Sequence, residues 1–132
     1  MENLFSPCLY LREVNAISSL GLAHMGDAVY EILVRTMLIT SVDTTGAHLH
    51  QDTTNLVNAS AQAQAADLLL PHLTEQEAAF YRRGRNAGVR PIPKNATHAQ
   101  YSKATGLEAL FGALYLLGQK DRALELFQII ME

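Results

Sequence analysis

Residues 21–31 read Gly-Leu-Ala-His-Met-Gly-Asp-Ala-Val-Tyr-Glu. They sit in a longer run whose positions Leu22, Met25, Val29, Ile32, Leu33, Thr36 and Met37 recur at helical spacing. Ser18 or Ser19 can cap such a helix, and the spacing carries it to about Ile39. Asp27 interrupts this apolar pattern. A second stretch, residues 105–112, reads Thr-Gly-Leu-Glu-Ala-Leu-Phe-Gly and places Glu108 in a similar setting. An ionised carboxylate in an apolar helix is costly unless something compensates it. Two readings stand. Each acid reaches solvent or an arginine while the glycines serve only close helix packing, or the two acids share a cation.

The remaining chain also reads as helical, so the expected fold class is all-α. Asp43 to Gly46 is a turn. Leu49 to Leu70 is a second helical region, stopped by Pro71. Thr74 and Glu77 form a capping box that opens a third helix, which carries Tyr81-Arg-Arg-Gly-Arg-Asn86. Gly88, Pro91 and Pro93 then break the chain, and residues 87–96 form a basic loop. Thr97 caps a further helix. Its stripe of Leu107, Leu110, Phe111, Leu114 and Tyr115 ends at Gly118. A last amphipathic helix carries Leu124, Phe127, Ile130 and Met131. No strand alternation and no internal repeat is visible.

The 132 residues, 48% of them apolar, are expected to form one domain spanning 1–132. No apolar run approaches the ~18 residues of a membrane span. The N-terminus lacks the pattern of a signal peptide, and a single Cys8 forms no internal disulfide. Cytoplasm is the expected compartment, and no membrane partner is expected. Net charge is −3, yet six of the ten basic residues, Arg82, Arg83, Arg85, Arg90, Lys94 and Lys103, fall between residues 78 and 107, where there is no acid. Such asymmetry marks a polyanion-binding face. A merely solvated basic helix gives the same composition.

Asp27 and Glu108 offer oxygen ligands, which suit a hard cation such as Mg²⁺. That ion usually takes one or two protein carboxylates and completes its sphere with water and phosphate. Glu31 shares a helix face with Asp27 and is either a further ligand or the i+4 partner of Arg35. His24, one turn before Asp27, is either a supporting donor or a packed core histidine. A cation between carboxylates beside a basic surface suggests metal-assisted phosphodiester hydrolysis.

Leu22-Ala-His-Met-Gly-Asp27 with Ala28-Val-Tyr-Glu31, and Thr105-Gly-Leu-Glu-Ala-Leu-Phe-Gly-Ala-Leu-Tyr115, resemble the two signature helices of the ribonuclease III catalytic domain. The string Arg82-Arg-Gly-Arg-Asn-Ala87, then Pro93-Lys-Asn95, then Tyr101, is similar to the bacterial Mini-III subfamily, which consists of that domain alone. The likeness runs from about Asn15 to Ile130. Ordinary ribonuclease III places four acids at its site. Here Leu20, Ala23 and Thr105 stand at further acidic positions of the two motifs, and Asp27 and Glu108 remain.

The resemblance implies a ribonuclease III-type helical fold and a homodimeric endoribonuclease that cuts double-stranded RNA, one strand per subunit. It implies Asp27 and Glu108 as catalytic and Mg²⁺-binding residues, and maturation of large-subunit (23S) ribosomal RNA as the role. No separate double-stranded-RNA-binding domain is expected. Duplex RNA is read through its minor groove, 2′-hydroxyls and phosphates. Arg82, Arg83, Arg85, Asn86, Arg90, Lys94, Asn95 and Lys103 are the expected RNA contacts. Apolar residues of the first helix, or the Leu107 to Tyr115 stripe, are candidates for the dimer surface. Two other functions remain open from sequence: a non-catalytic module that binds structured RNA, and a helical protein-interaction domain.

Overall fold

Residues 104–114 are buried at every position but one, Glu108. They belong to α6 (His98–Leu116), the helix around which the others assemble in this computed structural model, which describes residues 3–41, 46–88 and 94–132. A helix apolar on all sides must be covered on all sides. Four elements do this for α6: α2 (Ser19–Ile39), α4 (Ala59–Leu69), α5 (Glu75–Arg85) and α7 (Lys120–Met131). On one flank Tyr30 of α2 meets Phe111 and Phe127 edge-on, at ring-centre distances of 5.2 and 5.6 Å, above Leu69, Leu107 and Leu110. On the other, Leu22, Ala23, Phe80, Ala109 and Ala113 enclose Val14. Burial drives the Tyr30 phenol well above its ordinary pKa.

The helix ends follow the capping chemistry of the sequence. The Ser18 hydroxyl accepts from the Gly21 amide at 2.9 Å, starting α2. Thr74 with Glu77, and Thr97 with Gln100, form reciprocal capping boxes at α5 and α6. Gly118, at φ +79°, lets the chain turn out of α6 in the left-handed region. All described regular structure is helical, as expected.

Two features depart from the sequence reading. The expected single region from Leu49 to Leu70 is two helices, α3 (Leu49–Val57) and α4. Asn58 adopts an extended conformation between them, and its Oδ1 accepts from the Ala61 amide at 2.8 Å. An asparagine that caps the second helix interrupts the first, which composition alone does not reveal. A short α1 (Leu11–Asn15) also precedes α2 and contributes the fully buried Val14. The expected turn from Asp43 to Gly46 lies outside the described residues except for Gly46.

One ion pair is set deep enough to matter for stability. Arg122 of α7 donates Nε to Glu77 Oε2 at 2.8 Å and Nη2 to Glu77 Oε1 at 2.9 Å. Its Nη2 also reaches the His72 carbonyl at 2.8 Å, and Nη1 reaches Glu125. Glu77 is 5% exposed, and its Oε1 also accepts from the Thr74 amide. Burial by itself pushes the Glu77 carboxyl up. Arg122 and the Thr74 amide outweigh it and hold the carboxyl below its ordinary value. Its stabilising effect is therefore complete above the ordinary value of 4.5 and is lost as pH falls through the lower folded value. Arg122→Ala leaves a buried carboxylate without its counter-charge and should cost about 3 kcal/mol at neutral pH in urea unfolding. The gap between wild type and variant should narrow as pH drops below 4.5.

Candidate active site

The site is built where α2 crosses α6 with no side chain between them. A Cβ added at Gly26 would fall on the carbonyl oxygen of Glu108, with the Gly112 amide 2.8 Å away. A Cβ added at Gly112 would fall on the Leu22 carbonyl, with the Gly26 amide 2.9 Å away. Asp27 follows Gly26 directly, and Glu108 lies one turn before Gly112. The two acids therefore flank one point of backbone contact.

Neither acid is fully buried, although each stands among apolar residues in the sequence. Asp27 is exposed and Glu108 is half-buried. The crossing holds them at the rim of the core, so the full cost of burying two charges does not arise. His24 is exposed and is not a packed core histidine. It shares the outer face of α2 with Asp27, Glu31 and Arg35. Arg35 pairs with Glu31 at 2.6 Å, which favours the ion-pair reading of Glu31 over the ligand reading. Ala23 is buried, and the Thr105 hydroxyl donates to the Tyr101 carbonyl at 3.0 Å. Neither offers a free oxygen to the site.

The basic material lies beside Glu108. A Cβ on Gly84, in the last turn of α5, would meet the Thr105 carbonyl and the Ala109 Cβ, both at 2.6 Å. The end of α5 thus rests on the turn of α6 that carries Glu108. Arg82, Arg85 and Asn86 are exposed there. The Arg85 guanidinium lies 5.8 Å from the Tyr81 ring centre, and its Nε donates to Asn86 Oδ1 at 3.4 Å. Two of the expected RNA contacts are engaged within the protein. Arg83 donates Nη2 to the Ile17 carbonyl at 2.5 Å and Nε to Ser19 Oγ at 3.2 Å. Lys103 pairs with Asp67 at 2.8 Å, and that carboxylate raises the lysine's pKa. Lys94 and Asn95 are exposed ahead of α6, and Arg90 lies outside the described residues.

The sequence reading missed an apolar groove of about 330 Å³ on the neighbouring face of α2. Met25, Ala28, Val29, Ile32 and Leu33 line it together with Leu4 and Phe5. Phe5 is 88% exposed and Ile32 is 59% exposed. The N-terminal segment is held there by Tyr115, whose hydroxyl donates to the Leu4 carbonyl at 2.5 Å, and by Lys120, whose Nζ donates to Ser6 Oγ at 2.7 Å. The apolar residues of the first helix, named above as candidates for a dimer surface, were part of its signal, and Leu4 and Phe5 in a polar N-terminus were the rest. Among the described residues, no helix is long and apolar enough to cross a membrane.

Known proteins match this arrangement over most of its length. The family model for the ribonuclease III domain matches residues 20–119, a span that contains both Asp27 and Glu108. The chain belongs to the ribonuclease III family. Within it, the Mini-ribonuclease 3 of Symbiobacterium thermophilum is 46% identical over 109 residues, covering 83% of this chain and 84% of that protein. The Mini-ribonuclease 3 of Enterococcus faecalis is 42% identical over 118 residues, covering 88% and 89%. An X-ray structure of a Fusobacterium nucleatum protein superposes with a TM-score of 0.82 at 27% identity, covering 90% of this chain and 95% of that one. The protein is accordingly an endoribonuclease.

In this member of the ribonuclease III family, Asp27 and Glu108 stand on the two crossed helices. Among the described residues, no three His, Cys, Asp or Glu side chains converge as a metal cluster. Two carboxylates on crossed helices are a donor set that fits a hard divalent cation retaining most of its water.

The position of Arg83 yields a direct expectation. It ties α5 to the residues flanking Ser18, the cap of α2. Arg83→Ala should lower stability by about 1.5–3 kcal/mol, the usual range for hydrogen bonds from a charged group, as measured by urea unfolding.

Proposed function

We propose that the protein is a Mg²⁺-dependent ribonuclease of the Mini-III kind that cuts double-stranded RNA, with precursors of large-subunit ribosomal RNA as its substrate in the cytoplasm. Residues 1–132 act in this reading as one catalytic domain. The observation that carries it is the joint placement of Asp27 and Glu108 at the α2–α6 crossing, with the basic end of α5 resting on the same turn of α6. The relatives named Mini-ribonuclease 3 support it.

Asp27 and Glu108 hold the cation and fix its position relative to the RNA backbone. When bound, Mg²⁺ lowers the pKa of a coordinated water and offsets charge on the phosphate oxygens. Arg82, Arg85, Asn86, Lys94 and Asn95 hold the duplex by its phosphates and 2′-hydroxyls, with Arg90 of the same loop. Lys103 joins them when it exchanges Asp67 for phosphate. Arg83 contributes by fixing the start of α2. Glu31 and His24 stand beside Asp27 on the outer face of its helix.

The active unit in this reading is a two-fold dimer, the commonest closed assembly. Its interface is the apolar groove of α2 and the N-terminal segment, and its occupant is a second copy of the chain. The groove adjoins the face that carries Asp27, so pairing there brings two sites to one duplex. The Leu107 to Tyr115 stripe does not serve, because all but its last residue are buried in the protomer core.

Asp27→Asn should abolish cleavage of a labelled RNA duplex in Mg²⁺ while leaving duplex binding within about twofold in a gel shift. Cleavage at the wild-type rate would place the site elsewhere. Lys94→Ala should weaken binding and flatten the slope of log affinity against log salt by about one unit, while Arg83→Ala leaves that slope unchanged. Ile32→Asp, which sets a charge in the exposed groove, should give monomers by light scattering and lose paired cleavage of both strands.

A further inference from the structure

Four glycines of this protein sit at helix contacts closer than any side chain permits. Gly84 and Gly106 bring α5 onto α6, while Gly26 and Gly112 bring α2 onto α6. Only the second pair joins the two helices that carry both acids. Gly26 precedes Asp27, and the group that Gly26 touches is the main chain of Glu108 itself. The separation of these two main chains is therefore set by peptide against peptide. Such a contact cannot be relaxed by a change of rotamer, and close-packed interiors yield little.

We propose that the Gly26–Gly112 crossing is a ruler: it fixes the gap between the Asp27 and Glu108 carboxylates at a width that favours a small divalent cation over a larger one. Mg²⁺ demands oxygens at about 2.0–2.1 Å in near-octahedral array, while Ca²⁺ accepts about 2.3–2.6 Å in looser geometry. A difference of a few tenths of an ångström is distinguished only by ligands on rigid supports. One carboxylate on each helix makes the interhelical distance the variable that matters. Gly26 and Gly112 are thus positioning residues and touch no substrate. This inference rests on the assignment of Asp27 and Glu108 as the cation ligands.

The test is calorimetric titration of the RNA-free protein with Mg²⁺ and with Ca²⁺, alongside thermal unfolding. Gly112→Ala should lower Mg²⁺ affinity about tenfold or more, the loss typical when the support of a metal ligand is disturbed, with a smaller loss for Ca²⁺. Leu126→Ala disturbs the core from α7, a helix that carries neither Asp27 nor Glu108. It should lower the unfolding temperature and leave the Mg²⁺ to Ca²⁺ affinity ratio unchanged. If Gly112→Ala does not fold, Glu108→Asp widens the gap by one methylene without touching the crossing and should shift the ratio in the same direction. An unchanged ratio in Gly112→Ala or Glu108→Asp, or an equal shift in Leu126→Ala, would overturn the ruler. Unaltered Mg²⁺ binding in Asp27→Asn would instead overturn the ligand assignment beneath it.

Discussion

Where Gly26 lies on the carbonyl of Glu108, two helices touch through their main chains, and much else in the molecule follows from that contact. It makes α6 the central element, because a helix approached this closely by α2 on one side and by α5 on another leaves its own small and apolar residues no route to water. It also decides where charge can stand. The residue after Gly26 and the residue whose carbonyl Gly26 touches both emerge at the edge of the contact. Asp27 there keeps an exposed side chain and Glu108 a half-buried one, while the main chain of each is held by the core.

Charge is sorted around that edge in a way that composition conceals. The formal balance is −3, but the end of α5 concentrates arginines next to the turn of Glu108. Some of these cations are structural. Arg83 spends its donors on Ile17 and Ser19, and Arg122 of α7 is bound to Glu77. Others remain at the surface, where long-range attraction for a polyanion adds to contact. Asp67 holds Lys103 in a mostly solvated pair, a partnership that water and salt screen and that phosphate can displace.

In the proposed reading, stability and activity are thereby carried by different residues. The Tyr30, Phe111 and Phe127 cluster and the Glu77–Arg122 pair secure the packing of α2, α5 and α7 around α6. None of these side chains is among the candidate ligands. A ribonuclease III domain so divided can vary its exposed basic residues without disturbing the crossing that holds Asp27 and Glu108.

The sequence by itself determined the local structure and the identity of the chemical groups. Helical spacing from Leu22 to Met37, the Thr74–Glu77 box and the cap at Thr97 are short-range features, and each appears in the structure as read. The signature residues around Asp27 and Glu108 were legible for the same reason, since a motif is a local pattern. What only the tertiary structure decided is what faces what. Burial is a property of neighbours distant in the chain, so Asp27 and His24 proved exposed although their surroundings in sequence are apolar. The choice between Arg35 and a ligand role for Glu31, the commitment of Arg83 to Ile17, and the pairing of Lys103 with Asp67 are contests between alternatives of similar local energy. They are resolved by where the helices cross, and that crossing depends on two glycines 86 positions apart in the chain, Gly26 and Gly112, neither of which has a side chain to announce it.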